Sequence, residues 1–492
     1  MPALPETLYT AAQVRELDRR AIEDAGIPAR ELMQRAGKAA WQQLLLQWPG
    51  AQRILVLCGG GSNAGDGYVL ATHALAEKRQ ITMLTLGDRL QLPRPAAEAR
   101  GDFLKAGGTE TVFEVRLPAA DVIVDALLGT GLDRPLHGEW LKLVKEVNAT
   151  GMPVLSMDIP TGLHADTGAE LGAAVHATVT VTFIGLKCGL FTAAGPECTG
   201  LLRFDDLALP SKVYGSIVPR ARRLRSAEMR EPRLPRRRRD AHKGSFGHVL
   251  VVGGDHGMGG AVRLAAEAAL RCGAGLVSVA TRAEHVSPLL AGLPEAMVRG
   301  VETPEDLVPL LARASVVAIG PGLGQDEWGQ GLLRQALVAS LPLVVDADAL
   351  NMLAKAPQKR GNWILTPHPA EAARLWGTDT AAVQHDRYAA VENLARRFGA
   401  VTVLKGAGSL IAADGESTMV CTAGNPGMAG PGMGDVLTGV IAALVAQGLP
   451  LADAARVGVY VHASAGDLAA RQGERGLMAR DLMEPLRTLV NV

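Results

Sequence analysis

The stretch CTAGNPGMAGPGMGDVLTGV, residues 421–440, decides the fold of the second half of the chain. Glycines at 424, 427, 430, 432 and 434 keep side chains away from the backbone, and an apolar helical pattern follows them. We expect the backbone N–H groups of this loop to close around an anion at the positive end of the helix. The loop therefore predicts a phosphate cradle. Because no Gly-Lys-Ser/Thr follows, it is not a Walker loop.

Asp435 occupies the first turn of the predicted helix, beside this cradle. The helix dipole stabilises a carboxylate there, but the same carboxylate repels a phosphate. We therefore predict that Asp435 accepts a proton from a substrate hydroxyl. The alternative is that Asp435 only caps the helix. The density of glycines in the loop favours the catalytic interpretation.

Length and composition indicate an α/β protein of two or more domains. The chain has 492 residues, of which 48% are hydrophobic, 4% are aromatic and 57 are glycine. These proportions are typical of Val/Ile/Leu/Ala strands joined to helices by glycine-rich turns. The formal net charge of zero provides no field that would favour nucleic acid or an anionic membrane. We expect neither as a partner.

The five cysteines form no CxxC pair, which argues against a disulfide framework or a structural zinc site. The N-terminus lacks a basic-then-apolar signal pattern, and no apolar run approaches the ~18 residues of a membrane span. We expect a cytoplasmic protein.

In the first half, apolar runs end in polar side chains. RILVLCGGG (53–61) predicts a strand and a glycine turn into a helix, and further strands are predicted at 81–87, 120–125, 152–157 and 176–191. Open α/β sheets bind ligands at the carboxyl edge of their strands. We expect side-chain oxygen atoms to converge at this edge. Some of them would bind a hard cation, and a carboxylate not used for the cation would serve as an acid or base. The side chains concerned are Asn63, Asp66, Asp125, Asp158 and Thr161.

Proline and arginine accumulate in residues 216–242, which predict a linker between a domain at 1–215 and a domain at 243–492. Four adjacent arginines, 236–239, suggest a surface patch. Contact with a polyanion is the less favoured interpretation because aromatic residues are missing around them.

The second half repeats the strand, glycine turn and helix arrangement. Residues 246–275 predict the first such unit, and strands follow that end near Gly322, Asp346 and His368. Residues 400–412 predict a hairpin whose turn carries Lys405, a point charge suited to a phosphate.

The collinear motifs resemble known families. IGPGLG (319–324), TPHPAE (366–371), VLKGAGSLI (403–411) and GNPGMAGPGMGDVLTG (424–439) resemble the ribokinase-like ADP/ATP-dependent NAD(P)H-hydrate dehydratases. GSNAGDGYVLA (61–71), DALLGTGLDRP (125–135) and MDIPTGL (157–163) resemble the YjeF-type NAD(P)H-hydrate epimerases. The order is that of the bacterial bifunctional NAD(P)H-hydrate repair enzymes. The resemblance implies a Rossmann-like three-layer domain followed by a ribokinase-like α/β domain.

The resemblance also implies a reaction. The first half would interconvert the R and S hydrates of NADH and NADPH, NADHX and NADPHX. The second half would dehydrate the S form and convert ADP to AMP and phosphate. Potassium is implied in the epimerase domain and magnesium in the dehydratase domain, and a homo-oligomer is expected.

The resemblance also implies the residues of each site, which are those that stand in the matching motifs. The hydrated dinucleotide of the epimerase would contact Ser62, Asn63, Ala64, Gly65, Asp66, Gly129, Thr130, Gly131, Leu132, Asp133, Arg134, Pro135 and Asp158. Potassium would be held by Asn63, Asp125 and Thr161. In the dehydratase the hydrate would contact Ala261, Gly322, Gly324, His368 and Asp435, and the adenine nucleotide would contact Lys405, Gly406, Ala407, Gly408, Ser409 and Gly434. Asp435 and Asp158 are the predicted catalytic residues. Pro431 has no N–H, so the cradle is expected to make one contact fewer.

Two alternatives stay open at this point. A ribokinase-like kinase of a vitamin precursor would share the GMGD motif and the cradle. A YjeF-type scaffold would use the four arginines to bind RNA, and that binding would weaken with salt.

Overall fold

A computed structural model describes residues 4–87, 91–113, 116–224 and 236–491. The chain divides into two compact units, Met1–Arg222 and Arg223–Val492. Part of the predicted linker, 225–235, lies outside the described residues. Among the helices of the described ranges, none has the length and apolar character that a membrane span requires.

The first unit is built on a parallel sheet with strand order β4-β3-β2-β5-β6-β7-β9. Its strands are β2 (Arg53–Cys58), β3 (Gln80–Thr85), β4 (Glu110–Val112), β5 (Val122–Ala126), β6 (Val154–Met157), β7 (Val179–Phe183) and β9 (Leu201–Asp205). Short strand β1 (Thr7–Tyr9) pairs with β8 (Leu186–Lys187) and with β10 (Ala221–Arg223). Because β2 lies between β3 and β5, the chain reverses its direction of travel across the sheet there, and such a point leaves a crevice at the carboxyl edge.

Helices cover both faces of this sheet. They are Ala11–Glu23, Ala29–Gln47, Ser62–Ala76, Arg94–Lys105, Gly138–Ala149 and Gly195–Thr199. Alternate residues of β2 enter two different cores: Ile54 and Val56 pack into one, and Leu55 and Leu57 pack into the other. This pattern confirms the expected three-layer α/β architecture.

The sheet of the second unit runs in the order β13-β12-β11-β14-β15-β16-β17-β18-β19. Its strands are β11 (His248–Val252), β12 (Leu276–Thr281), β13 (Met297–Gly300), β14 (Val316–Ile319), β15 (Leu343–Val345), β16 (Trp363–Leu365), β17 (Val401–Leu404), β18 (Ser409–Ala412) and β19 (Thr418–Cys421). β17 and β18 form the antiparallel hairpin predicted at 400–412. Here β11, between β12 and β14, marks the crevice.

The helices of the second unit are Gly259–Arg271, Val286–Gly292, Val308–Leu311, Glu327–Val338, Ala347–Lys355, Pro369–Trp376, Thr380–His385, Arg387–Phe398, Met433–Ala446, Leu451–Ala469 and Met483–Leu489. Helix Met433–Ala446 is buried on nearly every side. A side chain at Gly439 would lie 2.0 Å from the carbonyl oxygen of Ala265, so glycine permits backbone contact with helix Gly259–Arg271. This close packing sets the position of helix Met433–Ala446, whose first turn contains Asp435.

One helix cap and one predicted strand show how the local structure of the first unit forms. Thr10 caps the first helix: its Oγ1 accepts from the N–H of Gln13 at 3.1 Å. The prediction of one strand over 176–191 was wrong. Ile184 has φ +65°, which ends β7, and the chain continues through the two-residue β8 into a 3-10 turn at Cys188–Phe191.

Candidate active sites

The first unit contains a cavity of about 1020 Å³ at the carboxyl edge of β2, β5 and β6. Ser62, Asn63, Asp66 and Asp158 line it, as does the whole loop 129–135. The structure therefore brings together three segments that are far apart in sequence. The volume suits a dinucleotide-sized ligand.

Two of the predicted contact residues turn away from this cavity. Ala64 is fully buried. A side chain at Gly65 would collide with Met33 Sδ at 2.4 Å and with Ala96 Cα at 2.9 Å. Both residues therefore serve the packing of helix Ser62–Ala76, and that packing brings Asn63 and Asp66 to the cavity.

Asn63, Asp125 and Thr161 meet around the backbone of residues 127–129. Asp125 Oδ1 accepts from Thr161 Oγ1 at 2.7 Å, and Asp125 Oδ2 accepts from Ser156 Oγ at 2.8 Å. The N–H of Leu128 donates to Thr161 Oγ1 at 3.0 Å. Burial raises the pKa of Asp125, and hydrogen bonds from Thr161 and Ser156 oppose the rise. The result is a buried oxygen-rich site.

The carboxamide of Asn63 is buried, and neither its oxygen nor its nitrogen has a hydrogen-bond partner among the described residues. A side chain at Gly129 would sit 3.5 Å from Asn63 Cβ, so the loop passes close to it. An unpartnered buried amide is costly unless a ligand satisfies it. The oxygen donors of this site fit a hard cation such as potassium.

Asp158 follows β6 with φ +66°, an unusual backbone conformation for a residue with a side chain. The buried ammonium of Lys187 donates to Asp158 Oδ1 and also to Thr182 Oγ1 and the carbonyl oxygen of Phe183, the last two at 3.0 Å. Lys187 is fully buried, whereas Asp158 keeps 18% of its side chain exposed to the cavity. The ion pair holds Asp158 in place with one face accessible to a ligand.

Two further carboxyls share this end of the cavity. Burial raises the pKa of Asp18 to about 6, with Asp158 adding to the rise and Lys187 opposing it. Burial also raises the pKa of Asp66 well above its usual range, and Asp158 and Asp18 contribute to the rise. The ammonium of Lys187 thus faces three carboxyl groups, and burial together with the repulsion between them favours the protonated form of Asp66.

In the second unit, Asp435 lies in the first turn of helix Met433–Ala446, as predicted. Burial raises the pKa of Asp435 to about 7, Asp346 adds to the rise, and Lys405 opposes it. The first-turn N–H groups of Met433, Gly434 and Asp435 have no carbonyl partner within the helix. Pro431 precedes the N-cap, Gly432, and its missing N–H therefore removes none of these donors.

Lys405 is held by a buried carboxylate. Its Nζ lies 2.7 Å from Asp346 Oδ1 and 3.9 Å from Glu371 Oε2. Thr438 Oγ1 donates to Asp346 Oδ2 at 2.9 Å, which links the ion pair to the helix of Asp435. Burial tends to raise the pKa of Asp346, but Lys405, together with hydrogen bonds from Thr438 and Thr366, leaves that pKa lowered.

Gly434 packs directly on this ion pair. A side chain at Gly434 would begin 3.2 Å from Lys405 Nζ and 3.4 Å from Asp346 Oδ2. Glycine thus lets the lysine approach the N-terminus of the helix. Residues 405–409 were predicted to contact the nucleotide. The first four of them form the turn that connects β17 to β18 beside this point, and Ser409 begins β18.

His368 caps helix Pro369–Trp376. Its Nδ1 accepts from the N–H of Ala370 at 3.1 Å, and Glu371 Oε2 accepts from the N–H of His368 at 2.8 Å. The ring is therefore a neutral tautomer with its proton on Nε2. Burial raises the pKa of Glu371 to about 7. The imidazole is 47% exposed, which leaves it accessible to a ligand.

Ala261, Gly322 and Gly324 lie at the crevice between β11 and β14. Gly322 and Gly324 have φ values of +56° and +70°. A side chain at Gly322 would lie 3.3 Å from Ala261 Cβ, and one at Gly324 would lie 2.7 Å from Asp255 Oδ2. The loop after β14, which carries Gly322 and Gly324, therefore packs closely on the segment after β11, which carries Asp255 and Ala261.

Sequence reasoning missed several residues. Lys187 sits in an apolar run, and Asp18 lies on an amphipathic helix, so neither carried a motif. Asp467 binds the glycine loop: its carboxylate accepts from the N–H of Gly424 and from Asn425 Nδ2, both at 2.9 Å. Only Lys187 had a signal in the sequence, because it is a charged residue within the apolar run 176–191.

The four arginines are exposed, but two of them have partners in the second unit. Arg237 lies 3.7 Å above the ring of Phe246 and donates to the carbonyl oxygen of Gly273. Arg238 pairs with Asp240 at 2.7 Å. The patch therefore presents less free positive charge than its sequence suggests.

The fold defines a class: an α/β protein of two units, each with candidate site residues at the switch point of its sheet. Family models match both halves. The model described as "NAD(P)H-hydrate dehydratase" matches residues 249–487, and "YjeF-related protein N-terminus" matches residues 29–189.

Known relatives extend over nearly the whole chain. The bifunctional NAD(P)H-hydrate repair enzyme Nnr of Coxiella burnetii is 50% identical and covers 98% of this chain and 99% of its own. The enzyme of the same name from Escherichia coli K12 is 45% identical, with 99% and 95% covered. A ribokinase-like superfamily protein from Enterococcus faecalis has a solved structure that is 31% identical, with a TM-score of 0.51, covering 55% of this chain and 94% of its own.

The chain belongs to the family of bifunctional NAD(P)H-hydrate repair enzymes, with an epimerase domain followed by a dehydratase domain. The second domain is ribokinase-like.

Proposed function

We propose that the chain epimerises the R and S hydrates of NADH and NADPH and dehydrates the S form, converting ADP to AMP and phosphate. The observation that carries this proposal is Asp435: a carboxyl whose pKa is raised to about 7 stands at a helix N-terminus beside the Lys405–Asp346 ion pair. A base of that pKa suits proton removal from a hydroxyl at neutral pH.

Dehydration requires the hydroxyl of the hydrate to become a better leaving group. Asp435 takes the hydroxyl proton while the oxygen attacks the terminal phosphorus of ADP. The bond between that phosphorus and the bridging oxygen breaks, and AMP leaves. The new phosphate ester then loses phosphate from the ring carbon, a neighbouring ring carbon loses a proton, and the dihydropyridine is restored.

The first-turn N–H groups and Lys405 stabilise the phosphate during transfer. The donors of Met433, Gly434 and Asp435 lie at the positive end of the helix dipole. Lys405 lies 2.7 Å from Asp346, so its charge is already oriented before the nucleotide binds. The turn Gly406, Ala407, Gly408 and Ser409 covers the nucleotide on the hairpin side. Ala261, Gly322, Gly324 and His368 contact the hydrate.

Magnesium fits the donor set of this site. Lys405 faces three carboxyls, Asp346, Glu371 and Asp435. Carboxylate oxygens are the ligands that magnesium prefers, and a bound diphosphate adds further negative charge. Asp346 and Glu371 would hold the metal ion, which supplies positive charge against the terminal phosphate.

Epimerisation requires the hydroxyl-bearing carbon to lose and regain its substituent. Asp158 carries the proton, and Lys187 keeps its carboxylate oriented toward the cavity. Asn63, Asp125 and Thr161 would hold potassium, which supplies a fixed positive charge. Ser62, Asp66 and loop 129–135 bind the dinucleotide, while Ala64 and Gly65 shape the helix that presents them.

The five cysteines are free and buried, which supports a reducing compartment such as the cytoplasm. A homo-oligomer stays a prediction that sedimentation velocity of the purified chain tests.

The test of the dehydratase assignment supplies pure S-NADHX with ADP and magnesium. We expect NADH, AMP and phosphate to form in equal amounts. Asp435→Asn should lose all three products together, whereas Asp306→Asn, at an exposed carboxylate that accepts from the N–H of Thr303 at 2.9 Å, should retain them. A stable phosphorylated product without NADH would instead support the kinase alternative.

A further inference from the structure

Three side chains of different chemistry meet on the first unit, outside the cavity. Glu170, His176 and Cys198 place one carboxylate oxygen, one imidazole nitrogen and one sulfur within 4.8 Å of one another. Glu170 Oε1 lies 3.6 Å from Cys198 Sγ and 3.8 Å from His176 Nε2. None of the three lines the cavity of the proposed epimerase. The cluster therefore needs an explanation of its own.

We propose that Glu170, His176 and Cys198 bind a zinc ion, with a water as the fourth ligand. Thiolate, imidazole and carboxylate together form a donor set typical of zinc, whereas magnesium and calcium prefer oxygen alone. Bond lengths of about 2.0–2.3 Å place tetrahedral ligands about 3.3–3.6 Å apart. The distances from Glu170 Oε1 to Cys198 Sγ and to His176 Nε2, 3.6 and 3.8 Å, nearly match those edges.

The backbone already fixes the three ligands. The N–H of Ala177, next to His176, donates to the carbonyl oxygen of Cys198 at 2.8 Å. The N–H of His176 donates to Asn148 Oδ1 at 2.9 Å, and Glu170 forms a β-bridge with Leu163. Cys198 is fully buried, and the side chains of Glu170 and His176 are about half exposed. The exposed side chains of Glu170 and His176 therefore have room to rotate toward the buried sulfur.

The bound ion would connect two segments of the first unit. Zinc replaces the proton of the Cys198 thiol and joins helix Gly195–Thr199 to the loop that carries Glu170 and His176. That loop begins just after Thr161. The sequence argued against a structural zinc site because it has no CxxC pair. This cluster escapes that criterion, since only one of its three ligands is a cysteine. The site becomes visible only when distant segments are brought together.

The test uses the full chain, stripped with a chelator and then titrated with Zn²⁺ or Co²⁺. We expect one tightly bound equivalent, a tetrahedral cobalt spectrum with a thiolate charge-transfer band, release of protons and a higher melting temperature. Cys198→Ser should remove the thiolate band, and His176→Ala and Glu170→Gln should each weaken binding by about 10–100-fold or more. His385→Ala, at an exposed histidine of the second unit, is the matched control and should bind like the wild type.

Glu170→Gln keeps the proposal falsifiable even if Cys198→Ser folds poorly, because Glu170 is exposed and its replacement is nearly isosteric. Circular dichroism and epimerase activity of each metal-free variant report whether the first unit has folded. Absence of stoichiometric binding to the wild type would overturn the proposal. So would equal binding by Glu170→Gln, His176→Ala and the wild type.

Discussion

Asp435→Asn should slow dehydration strongly and stabilise the fold at the same time. Burial raises the pKa of Asp435 from 3.8 to about 7. In the unfolded chain the carboxyl ionises near pH 4, so between about pH 4 and 7 the folded protein binds more protons than the unfolded chain, and its stability falls as pH rises. Above pH 7 the ionised carboxylate therefore destabilises the folded state in full.

The size of this effect follows from the shift. A pKa rise of about three units corresponds to about 4 kcal/mol, and solvent screening of the partly exposed Asp435 lowers this to about 2 kcal/mol. Asparagine removes the charge and keeps the shape. We expect the variant to be about 2 kcal/mol more stable than the wild type at pH 8 and similar to it at pH 4. Loss of the base should lower kcat for dehydration by about 10²–10⁴-fold.

Urea denaturation at pH 4 and pH 8 measures the stability, and NADH formation from S-NADHX measures the activity. The control is Asp306→Asn, because N–H groups of Thr303 and Glu302 lower the pKa of Asp306 and its charge therefore favours the fold. That variant should not gain stability at pH 8. A fully active Asp435→Asn enzyme, or an inactive one without a stability gain at pH 8, would refute the reasoning.

Wild-type dehydration should rise about tenfold per pH unit below pH 7 and level off above it, in a kcat/KM profile, because Asp435 must be ionised; a profile flat from pH 5 to 8 would exclude that base. Lys187→Met should slow epimerisation by about 100-fold or more and leave dehydration unchanged, since Asp158 loses its partner; equal rates in a chiral assay of the hydrates would contradict this. Asn63→Ala should remove the response of epimerisation to potassium, compared with sodium in the same assay, because it deletes the unpartnered amide; an unchanged response would disprove the proposed ligand. Gly434→Ala should raise KM for ADP, because its Cβ would begin 3.2 Å from Lys405 Nζ, and should leave epimerisation intact; an unchanged KM would place the nucleotide elsewhere.

The sequence predicted the parts of the sites that lie at strand ends. A parallel sheet brings the ends of β5 and β6 to one edge, so the meeting of Asp125 and Thr161 follows from order alone. The position of Asp435 in the first turn of its helix likewise follows from the glycine pattern before it. Sequence patterns were sufficient where two distant residues meet because they follow neighbouring strands of one sheet.

The remaining features depend on packing that no local pattern records. The chain turns at Ile184, where φ is +65°, and this turn brings Lys187 to Asp158. The alternating pattern of the run 176–191 does not predict the turn. The pairing of Lys405 with Asp346 joins residues 59 positions apart. Ala64, placed within a contact motif, turns into the core because neighbouring helix positions face different directions. Such features require the three-dimensional neighbours of each side chain.

The central claim is that one chain carries two separate repair activities. The most direct measurement is the recovery of dihydronicotinamide absorbance from an R/S mixture of NADHX with ADP, magnesium and potassium, corrected for the rate without enzyme. In the time that the wild type takes to recover all of it, Lys187→Met should recover little beyond the share of the S form, and Asp435→Asn should recover almost none. Full recovery by Lys187→Met at the wild-type rate, or no recovery by the wild type, would contradict the account.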